Sequence, residues 1–188
     1  MSSYNDVNRR IVVVGTTGSG KTTLAATLAE CFGISHVELD ALHWEPDWTE
    51  APLPTFRLRV HEAVKRKAWV IDGNYSAVRD IVWPRADTVV WLDYGLPTIF
   101  ARLLWRTFRR VFTREELWSG NRERLWAQLA TRDSIFLWAL QTYRRRRREY
   151  PTLFAKPEYA HLRVIRLRSP RQARRFLACL ERSQPIGT

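Results

Sequence analysis

Short apolar runs alternate along the chain with longer segments in which apolar residues recur at helical spacing. The apolar runs lie at 11–14, 36–39, 69–71, 88–92 and 162–167. Their length and their content of Val and Ile predict strands of a parallel sheet. Between them, Phe56, Val60 and Val64 share one face of a segment that opens at Pro54, and a short helix is predicted over 170–181. This alternation predicts an α/β fold with helices on both faces of the sheet.

The composition is that of one globular domain spanning residues 1–188, with a strong and uneven positive charge. The chain is 45% hydrophobic and its formal net charge is +12. Residues 1–101 hold 10 basic and 12 acidic side chains, residues 102–148 hold 13 and 4, and residues 149–188 hold 8 and 3. The asymmetry indicates an anionic partner for the C-terminal half, either the phosphates of a small molecule or a nucleic acid backbone.

Membrane proteins, secreted proteins and zinc proteins are disfavoured by the same sequence. No run approaches the ~18 apolar residues that a membrane helix needs, and residues 1–10 lack the apolar core of a signal peptide. Cys31 and Cys179 are the only cysteines and form no ligand pair. We therefore expect a cytoplasmic protein without membrane contact.

The first predicted strand runs directly into a phosphate-binding loop. The loop and the start of the following helix read Gly15, Thr16, Thr17, Gly18, Ser19, Gly20, Lys21, Thr22 and Thr23. Strand, glycine-rich loop and helix together are the context in which G-x-x-x-x-G-K-T binds a nucleoside triphosphate. Lys21 is expected to reach the β- and γ-phosphates of ATP, and the Thr22 hydroxyl is expected to bind Mg²⁺.

Acidic residues follow three of the predicted strands, at Asp40, Asp72 and Asp93. Because ligands gather at the carboxyl ends of parallel strands, this edge of the sheet is where we expect the acceptor. Trp44 and Trp48 lie in the loop after Asp40, where they would either stack on a planar acceptor or anchor a packed loop.

Between residues 99 and 112 the pattern is two-sided, with arginines on one face and apolar residues on the other. The arginines of this face are Arg102, Arg106, Arg109 and Arg110. They predict a lid helix that places guanidiniums on the transferring phosphoryl group, and the alternative is a solvated helix face. Further candidates in the same basic region are Arg122, Arg124 and Arg132. The run at 144–148 is predicted mainly as a solvated helix end, since consecutive helical residues cannot share one face, so that one or two of its arginines would face the site. A nucleic acid contact is the alternative for this run.

The motifs resemble a known family over nearly the whole chain. They are the phosphate loop, ELDALHW (38–44), WVIDGNY (69–75), RADTVVWLDY (85–94), ELWSGNRE (116–123) and AHLRVIRLRSPRQA (160–173). They are similar to the adenylate-kinase-related group labelled DNA topology modulation proteins, and more broadly to nucleoside monophosphate kinases and shikimate/gluconate-type kinases. The resemblance implies a P-loop NTPase fold with sheet order 2-3-1-4-5.

The resemblance also implies roles for particular residues. Asp72 matches an aspartate that holds a Mg²⁺-bound water, and Arg102 and Arg106 match lid arginines that hold ATP. Asp40 resembles the substrate-binding aspartate of shikimate-type kinases, and Phe56 and Arg57 resemble the start of their F-R-x-x-E pattern, in which Val60 replaces the Glu. In adenylate kinases a Pro-Arg follows the Asp-Gly at the end of the third strand. This chain lacks that pair, and Arg79 is a candidate to replace its arginine. The residues expected to bind the acceptor are Asp40, Trp44, Arg57, Gly73, Asn74 and Tyr75, and those expected to catalyse are Lys21, Asp72, Arg102 and Arg106.

Two functions follow as hypotheses from these observations. The first is a Mg-ATP-dependent kinase with a small acceptor, either a nucleotide or nucleoside or a small acid, in which residues 40–67 cover the acceptor and a basic helical lid at 96–150 closes over ATP. The alternative is a DNA-interacting protein that uses ATP as a ligand or switch. The acceptor, the choice between ATP and GTP, and the oligomeric state stay open.

Overall fold

The computed structural model describes residues 9–113 and 135–183. Five strands form one sheet: β1 (Arg10–Gly15), β2 (Ser35–Glu38), β3 (Trp69–Asp72), β4 (Thr88–Leu92) and β5 (Arg163–Leu167). The strand order is β2-β3-β1-β4-β5, and every neighbouring pair is parallel. The predicted fold class and sheet order are confirmed.

Seven helices accompany the described strands. They are α1 (Lys21–Phe32), α2 (Leu39–His43), α3 (Leu53–Ala63), α4 (Arg79–Val82), α5 (Leu96–Thr113), α6 (Ile135–Phe154) and α7 (Pro170–Ser183). Short 3₁₀ turns lie at Pro46–Trp48, Ser76–Val78, Trp83–Arg85 and Pro157–Tyr159. None of the helices in the described ranges is both long and apolar enough to cross a membrane.

Alternate residues of the strands face two separate cores, one on each side of the sheet. Ile11 and Val13 of β1 pack with one cluster, which includes Leu28 of α1 and Phe176 of α7. Val12 and Val14 belong to the other cluster, together with residues of α3 and α4. The central strand is therefore covered on both faces, which is why its sequence is continuously apolar. It also holds the loop that follows β1 rigidly in the middle of the sheet.

The second strand lies one residue earlier in the chain than predicted, over Ser35–Glu38 rather than 36–39. β2 ends at Glu38, and the chain turns into α2, so that Asp40 lies within a short helix rather than directly at a strand end. Leu39 is buried there, and a Cβ atom on Gly73 would approach Leu39 Cβ within 2.7 Å. The Leu39 side chain therefore packs directly on Gly73, which brings Asp40 toward the end of β3.

The basic region is described in part. It forms α5 and α6, while Arg122, Arg124 and Arg132, and the side chains of Arg109 and Arg110, lie outside the described residues. The division into an acceptor-covering segment at 40–67 and a lid at 96–150 stays a prediction.

Candidate active site

The phosphate loop connects the central strand to α1 in a conformation that only glycine adopts easily. Gly18 and Gly20 have φ values of 75° and 89°, in the left-handed region. The amide of Ser19 donates to the carbonyl oxygen of Thr16 at 3.1 Å, which closes the turn, and α1 begins at Lys21. The loop and the helix N-terminus together form an anion-binding concavity.

Gly15, the first residue of this loop, is held on both of its backbone polar groups. Its amide donates to Asn74 Oδ1 at 3.1 Å, and its carbonyl oxygen accepts from Asn74 Nδ2 at 2.8 Å. The same carbonyl accepts a hydrogen bond from Arg146 Nη1 at 2.9 Å, and Tyr150 OH donates to Asn74 Oδ1 at 2.9 Å. Asn74, predicted to bind the acceptor, therefore supports the phosphate loop directly.

Lys21 lies at the base of the loop. Its Nζ donates to the carbonyl oxygen of Thr16 at 3.4 Å. Burial, together with the positive charge of Arg146, lowers the pKa of Lys21 from 10.5 to about 8, while Asp40 and Asp72 act in the opposite direction. An anionic phosphate at this position would favour the charged ammonium, so the site is built to be completed by a nucleotide.

Thr22 and Asp72 meet at the start of α1. The Thr22 hydroxyl donates to Asp72 Oδ2 at 2.7 Å, and His36 Nε2 lies 3.1 Å from Asp72 Oδ1. The hydrogen bond to Asp72 raises the pKa of His36. A hydroxyl and a buried carboxylate beside a phosphate loop are oxygen donors of the kind that Mg²⁺ accepts. No cluster of three or more His, Cys, Asp or Glu that would hold a metal by itself occurs in the described ranges.

Asp40 is held by Tyr75, from the loop after β3. Tyr75 OH donates to Asp40 Oδ1 at 2.6 Å. Burial and the adjacent Asp40 carboxylate raise the pKa of Tyr75, so the phenol keeps its proton and Asp40 remains the acceptor of this bond. The structure thus joins two residues that the sequence assigned to the acceptor.

Trp44 belongs to an aromatic cluster beside this pair. Its ring lies 4.9 Å from that of His43 and 5.6 Å from that of Trp48, in edge-on arrangements. His43 also contacts Phe56 and Tyr75, at 4.9 and 4.6 Å between ring centroids. Of the two interpretations of Trp44, the packed anchor accounts for these contacts.

Arg102 and Arg106 of α5 approach the phosphate loop from above. Arg102 Nη1 donates to the carbonyl oxygen of Ser19 at 2.7 Å, and its guanidinium lies 5.3 Å from the ring centroid of Tyr94. Both arginines line a cleft of about 570 Å³ with the loop. The cleft also contains Lys21, Thr22 and Asp40, so three of the predicted catalytic residues (Lys21, Arg102 and Arg106) share one cavity with one of the predicted acceptor residues, Asp40.

Arg57 is not brought into this cleft. Its guanidinium forms a paired contact with Asp80, at 3.0 and 2.6 Å, and also donates to the carbonyl of Ala77. Val60, which stands where the family pattern has a glutamate, is fully buried in the core. The segment that begins with Phe56 and Arg57 therefore secures α3 against the turn at Ser76–Val78 and α4.

Three groups at the site escaped sequence reasoning. Two belong to the run at 144–148, since Arg146 reaches Gly15 and Arg147 pairs with Asp93 at 2.6 Å. The third is His36, whose partner Asp72 lies 36 positions away. The run carried a signal, because five consecutive arginines on a helix must point in several directions, but the sequence alone does not say which of them point inward.

The chain is similar to known small-molecule kinases, although no protein-family model matches it. It is 30% identical over 146 residues to the shikimate kinase of Synechococcus elongatus, with 66% of this chain and 76% of that protein covered. The solved shikimate kinase from Acinetobacter baumannii in complex with shikimate gives a TM-score of 0.54 at 19% identity, with 95% and 93% of the chains covered. A gluconokinase from Sinorhizobium meliloti gives 0.51 at 20% identity, with 93% and 94% covered.

Proposed function

Because the chain belongs to the shikimate kinase family of P-loop kinases, we propose that it transfers the γ-phosphoryl group of ATP to a hydroxyl group of a small carboxylic acid. An ATP-dependent phosphotransferase is what the relatives and the fold indicate together. The acid acceptor is the finer part of the proposal. Shikimate, the compound in the names of the relatives, is the first acceptor to test.

One observation carries the proposal: the cleft places the Asp40 carboxylate together with Lys21 and the phosphate loop. A carboxylate at this position would repel the phosphates of a nucleotide, so it serves a ligand other than ATP. It suits a hydroxyl group, which donates a hydrogen bond to the carboxylate and loses its proton when it attacks phosphorus. Tyr75 OH fixes the carboxylate from the other side.

The chain's own groups divide the remaining work. Lys21 and the backbone N–H groups of the loop would bind the ATP phosphates, and Arg102 and Arg106 would stabilise the charge that moves during transfer. Thr22 and Asp72 would hold Mg²⁺, which neutralises phosphate charge when bound. Closure of the predicted lid, to which α5 belongs, over the cleft would exclude water and limit hydrolysis of ATP.

An acceptor panel tests this proposal. Production of ADP from Mg-ATP is measured with shikimate, gluconate, nucleosides and nucleoside monophosphates, each at the same concentration. We expect acceptor-dependent turnover with a hydroxy acid, and a loss of about 10²-fold or more in kcat for Asp40→Asn. Lys21→Ala should abolish turnover, and Lys65→Ala, at an exposed lysine paired with Glu62, is the matched control.

The same panel decides against the proposal if a nucleoside monophosphate is the acceptor. Such an acceptor already carries an anionic attacking oxygen, so its turnover would not depend on Asp40 as a base. The relatives give no support to the DNA-interacting alternative. As a test of that alternative, duplex DNA is added without any small acceptor, and the rate of ATP hydrolysis is measured for stimulation.

A further inference from the structure

His36 lies on the face of the sheet that α1 covers. β2 and β3 are parallel, and His36 lies opposite Val70. Because side chains on a strand alternate between its two faces, Val70 and Asp72 point to the same face of β3, and His36 shares that face with them. Val70 packs in the core that includes Leu28 of α1. His36 and Asp72 are therefore neighbours beneath the helix that follows the phosphate loop.

His36 and Thr22 hold the two oxygens of one buried carboxylate. His36 Nε2 lies 3.1 Å from Asp72 Oδ1, and the Thr22 hydroxyl donates to Asp72 Oδ2 at 2.7 Å. The side chains of His36 and Asp72 are 18% and 4% exposed. A carboxylate that is bonded at both oxygens has little freedom to rotate about its Cβ–Cγ bond. The direction in which Oδ2 faces Thr22 is therefore set in part by His36, which belongs to a different strand.

The ring of His36 is the donor in its bond to Asp72. An ionised carboxylate only accepts hydrogen bonds, so Nε2 carries the hydrogen of this contact. The neutral ring in this tautomer and the doubly protonated ring both have this N–H group. The bond therefore orients Asp72 in either state of the ring, and its effect does not depend on a change of charge.

His36 acts through Asp72 and Thr22 rather than on a ligand. Thr22 lines the cleft of the candidate active site, whereas His36 and Asp72 are not among the described residues that line it. The Thr22 oxygen that would bind Mg²⁺ is the one whose hydrogen points to Asp72. A rotated carboxylate would accept this hydrogen in another direction and would turn the lone pairs of the oxygen with it. Loss of the His36 bond is therefore expected to weaken metal binding, while the loop continues to bind phosphate through its backbone.

We propose that His36 is a positioning residue for the metal of the bound nucleotide, because it holds Asp72 in the orientation in which Asp72 and Thr22 bind Mg²⁺. This inference rests on the proposed function in one respect, that Thr22 and Asp72 form the metal site, and it is independent of the acceptor. The competing explanation is a purely structural role, in which His36 only joins β2 to β3. The two roles differ in whether metal binding changes separately from nucleotide binding and from folding.

The experiment measures metal and nucleotide binding separately, with Mn²⁺ and ADP as the probes and without any acceptor. Electron paramagnetic resonance of free Mn²⁺ gives the affinity of the enzyme–ADP complex for the metal, and isothermal titration calorimetry in EDTA gives the affinity for ADP alone. His36→Leu removes the donor, and His36→Gln places an amide nitrogen near the position of Nε2. His161→Leu is the matched control, because His161 Nε2 contacts the carbonyl oxygen of Trp83, at 3.3 Å, on the other side of the sheet.

We expect His36→Leu to lower the affinity for Mn²⁺ by about 10- to 100-fold, as the loss of a hydrogen-bond partner of a metal-binding group commonly does. The affinity for ADP in EDTA should stay unchanged. His36→Gln should retain most of the affinity for Mn²⁺, and His161→Leu should retain all of it. An unchanged affinity for Mn²⁺ in His36→Leu would overturn the proposal. An equal loss of ADP affinity with and without metal would also overturn it, since that is the result of a structural role.

Two further comparisons keep the outcomes separate. If His36→Leu does not fold, the pair His36→Gln and His36→Asn carries the test, since both side chains have an amide but only the longer one reaches Asp72. Equal affinities for Mn²⁺ in this pair would contradict the proposal. If the wild-type complex with ADP binds Mn²⁺ no more tightly than free ADP does, the metal site at Thr22 and Asp72 is wrong, and the role of His36 falls with it. A wild type that binds the metal, beside a His36→Leu variant that matches it, refutes the positioning role alone.

Discussion

At the scale of single residues, the site depends on how Lys21 and Arg146 share one buried region. Two positive groups stand near each other behind the phosphate loop: the charge of Arg146 lowers the pKa of Lys21, and Asp40 and Asp72 act against it. Burial lowers the pKa of Arg146 as well as that of Lys21. Burial thus disfavours both positive charges, and the phosphates of a nucleotide would stabilise them.

The first prediction concerns the pH dependence of ATP use. With a pKa of about 8, Lys21 loses its charge in the free enzyme as the pH rises, so kcat/KM for ATP should fall above about pH 8. Arg146→Gln removes a charge that lowers this pKa, and the decline should move to higher pH. Arg146→Lys keeps the charge and should not move it. Identical profiles for the wild type and Arg146→Gln would contradict the prediction.

The lowered pKa of Lys21 also affects stability, but in the opposite direction: kcat/KM for ATP should fall as the pH rises, whereas the free energy of unfolding should rise. Between pH 8 and 10.5 the unfolded chain retains the Lys21 proton that the folded chain has lost. The free energy of unfolding therefore gains a contribution that rises with pH across this window. Below pH 8 both states are protonated, and the cost of burying the ammonium is present in full.

Sequence reasoning reached the residues of this site unevenly. Lys21 and Thr22 follow from eight consecutive positions, because the phosphate loop is a local structure. Arg146 acts on Gly15 from 131 positions away and His36 acts on Asp72 from 36, and no linear pattern records such contacts. Arg57 carried a family motif, but its partner Asp80 decides where it lies.

At the scale of elements, the packing of α5 on the phosphate loop decides the shape of the cleft. A Cβ atom on Gly18 would lie 2.5 Å from Leu103 Cγ, and one on Gly20 would lie 2.6 Å from Arg102 Nη1. Leu103 is fully buried. The glycines thus serve two purposes, since they permit the loop conformation and they let the lid helix approach.

A pair of glycine substitutions separates these purposes. Gly18 and Gly33 both have positive φ, at 75° and 60°, but nothing lies within 4 Å of a Cβ atom on Gly33. Gly33→Ala should cost about 1–2 kcal/mol of unfolding free energy from backbone strain alone. Gly18→Ala should cost about 1–3 kcal/mol more, because the methyl group also meets Leu103.

Urea unfolding of the two variants measures the difference, and the KM for ATP gives an independent readout. Only Gly18→Ala should raise that KM, since Gly33 lies at the far end of α1. Equal destabilisation of the two variants would show that α5 does not press on the loop.

Three strands of the sheet were readily predictable because they are buried. β1, β3 and β4 lie in the middle of the sheet, and their continuous apolar runs mark both their existence and their parallel pairing. β2 at the edge was predicted one residue too far along the chain, since its four residues are only half-buried and Leu39, at its predicted end, packs against Gly73 instead. Edge elements depend on tertiary contacts that the local pattern does not contain.

A buried carboxylate after β4 joins this strand to two further elements. Asp93 is 2% exposed in its side chain, and it pairs with Arg147 of α6 and Arg166 of β5, at 2.6 and 2.5 Å. The sequence marked Asp93 as a possible ligand-binding residue. Its role in the structure is to hold the second half of α6, and with it Arg146, against the sheet.

Asp93→Asn should therefore lower the free energy of unfolding by about 2 kcal/mol, less than for a fully buried pair because both arginines keep some exposure. Asp87→Asn is the comparison, since Asp87 pairs with Arg10 near the surface and its loss should cost at most about 1 kcal/mol. Urea denaturation measures both. A smaller effect for Asp93 than for Asp87 would contradict this account of α6.

At the scale of the whole molecule, the excess of positive charge is divided among several separate places. The nucleotide cleft includes Arg102, Arg106 and Arg174, Asp93 pairs with Arg147 and Arg166, and Arg146 binds the Gly15 carbonyl. These six arginines of the described second half are thus committed to local sites. A continuous stripe of the kind that follows a DNA backbone is not needed to explain them.

This distribution predicts how the protein behaves with nucleic acid. A net charge of +12 will attract duplex DNA at low salt, through phosphate contacts that carry no sequence preference. We expect fluorescence anisotropy with a labelled duplex to show an affinity that falls more than about tenfold between about 50 and 200 mM salt. The affinity should not change when Mg-ATP is added, because exposed arginines outside the ATP cleft, such as Arg168, Arg171 and Arg175, supply the phosphate contacts. Binding that survives at the higher salt and responds to ATP would contradict the kinase assignment as a complete account, since a charge effect alone couples to neither condition.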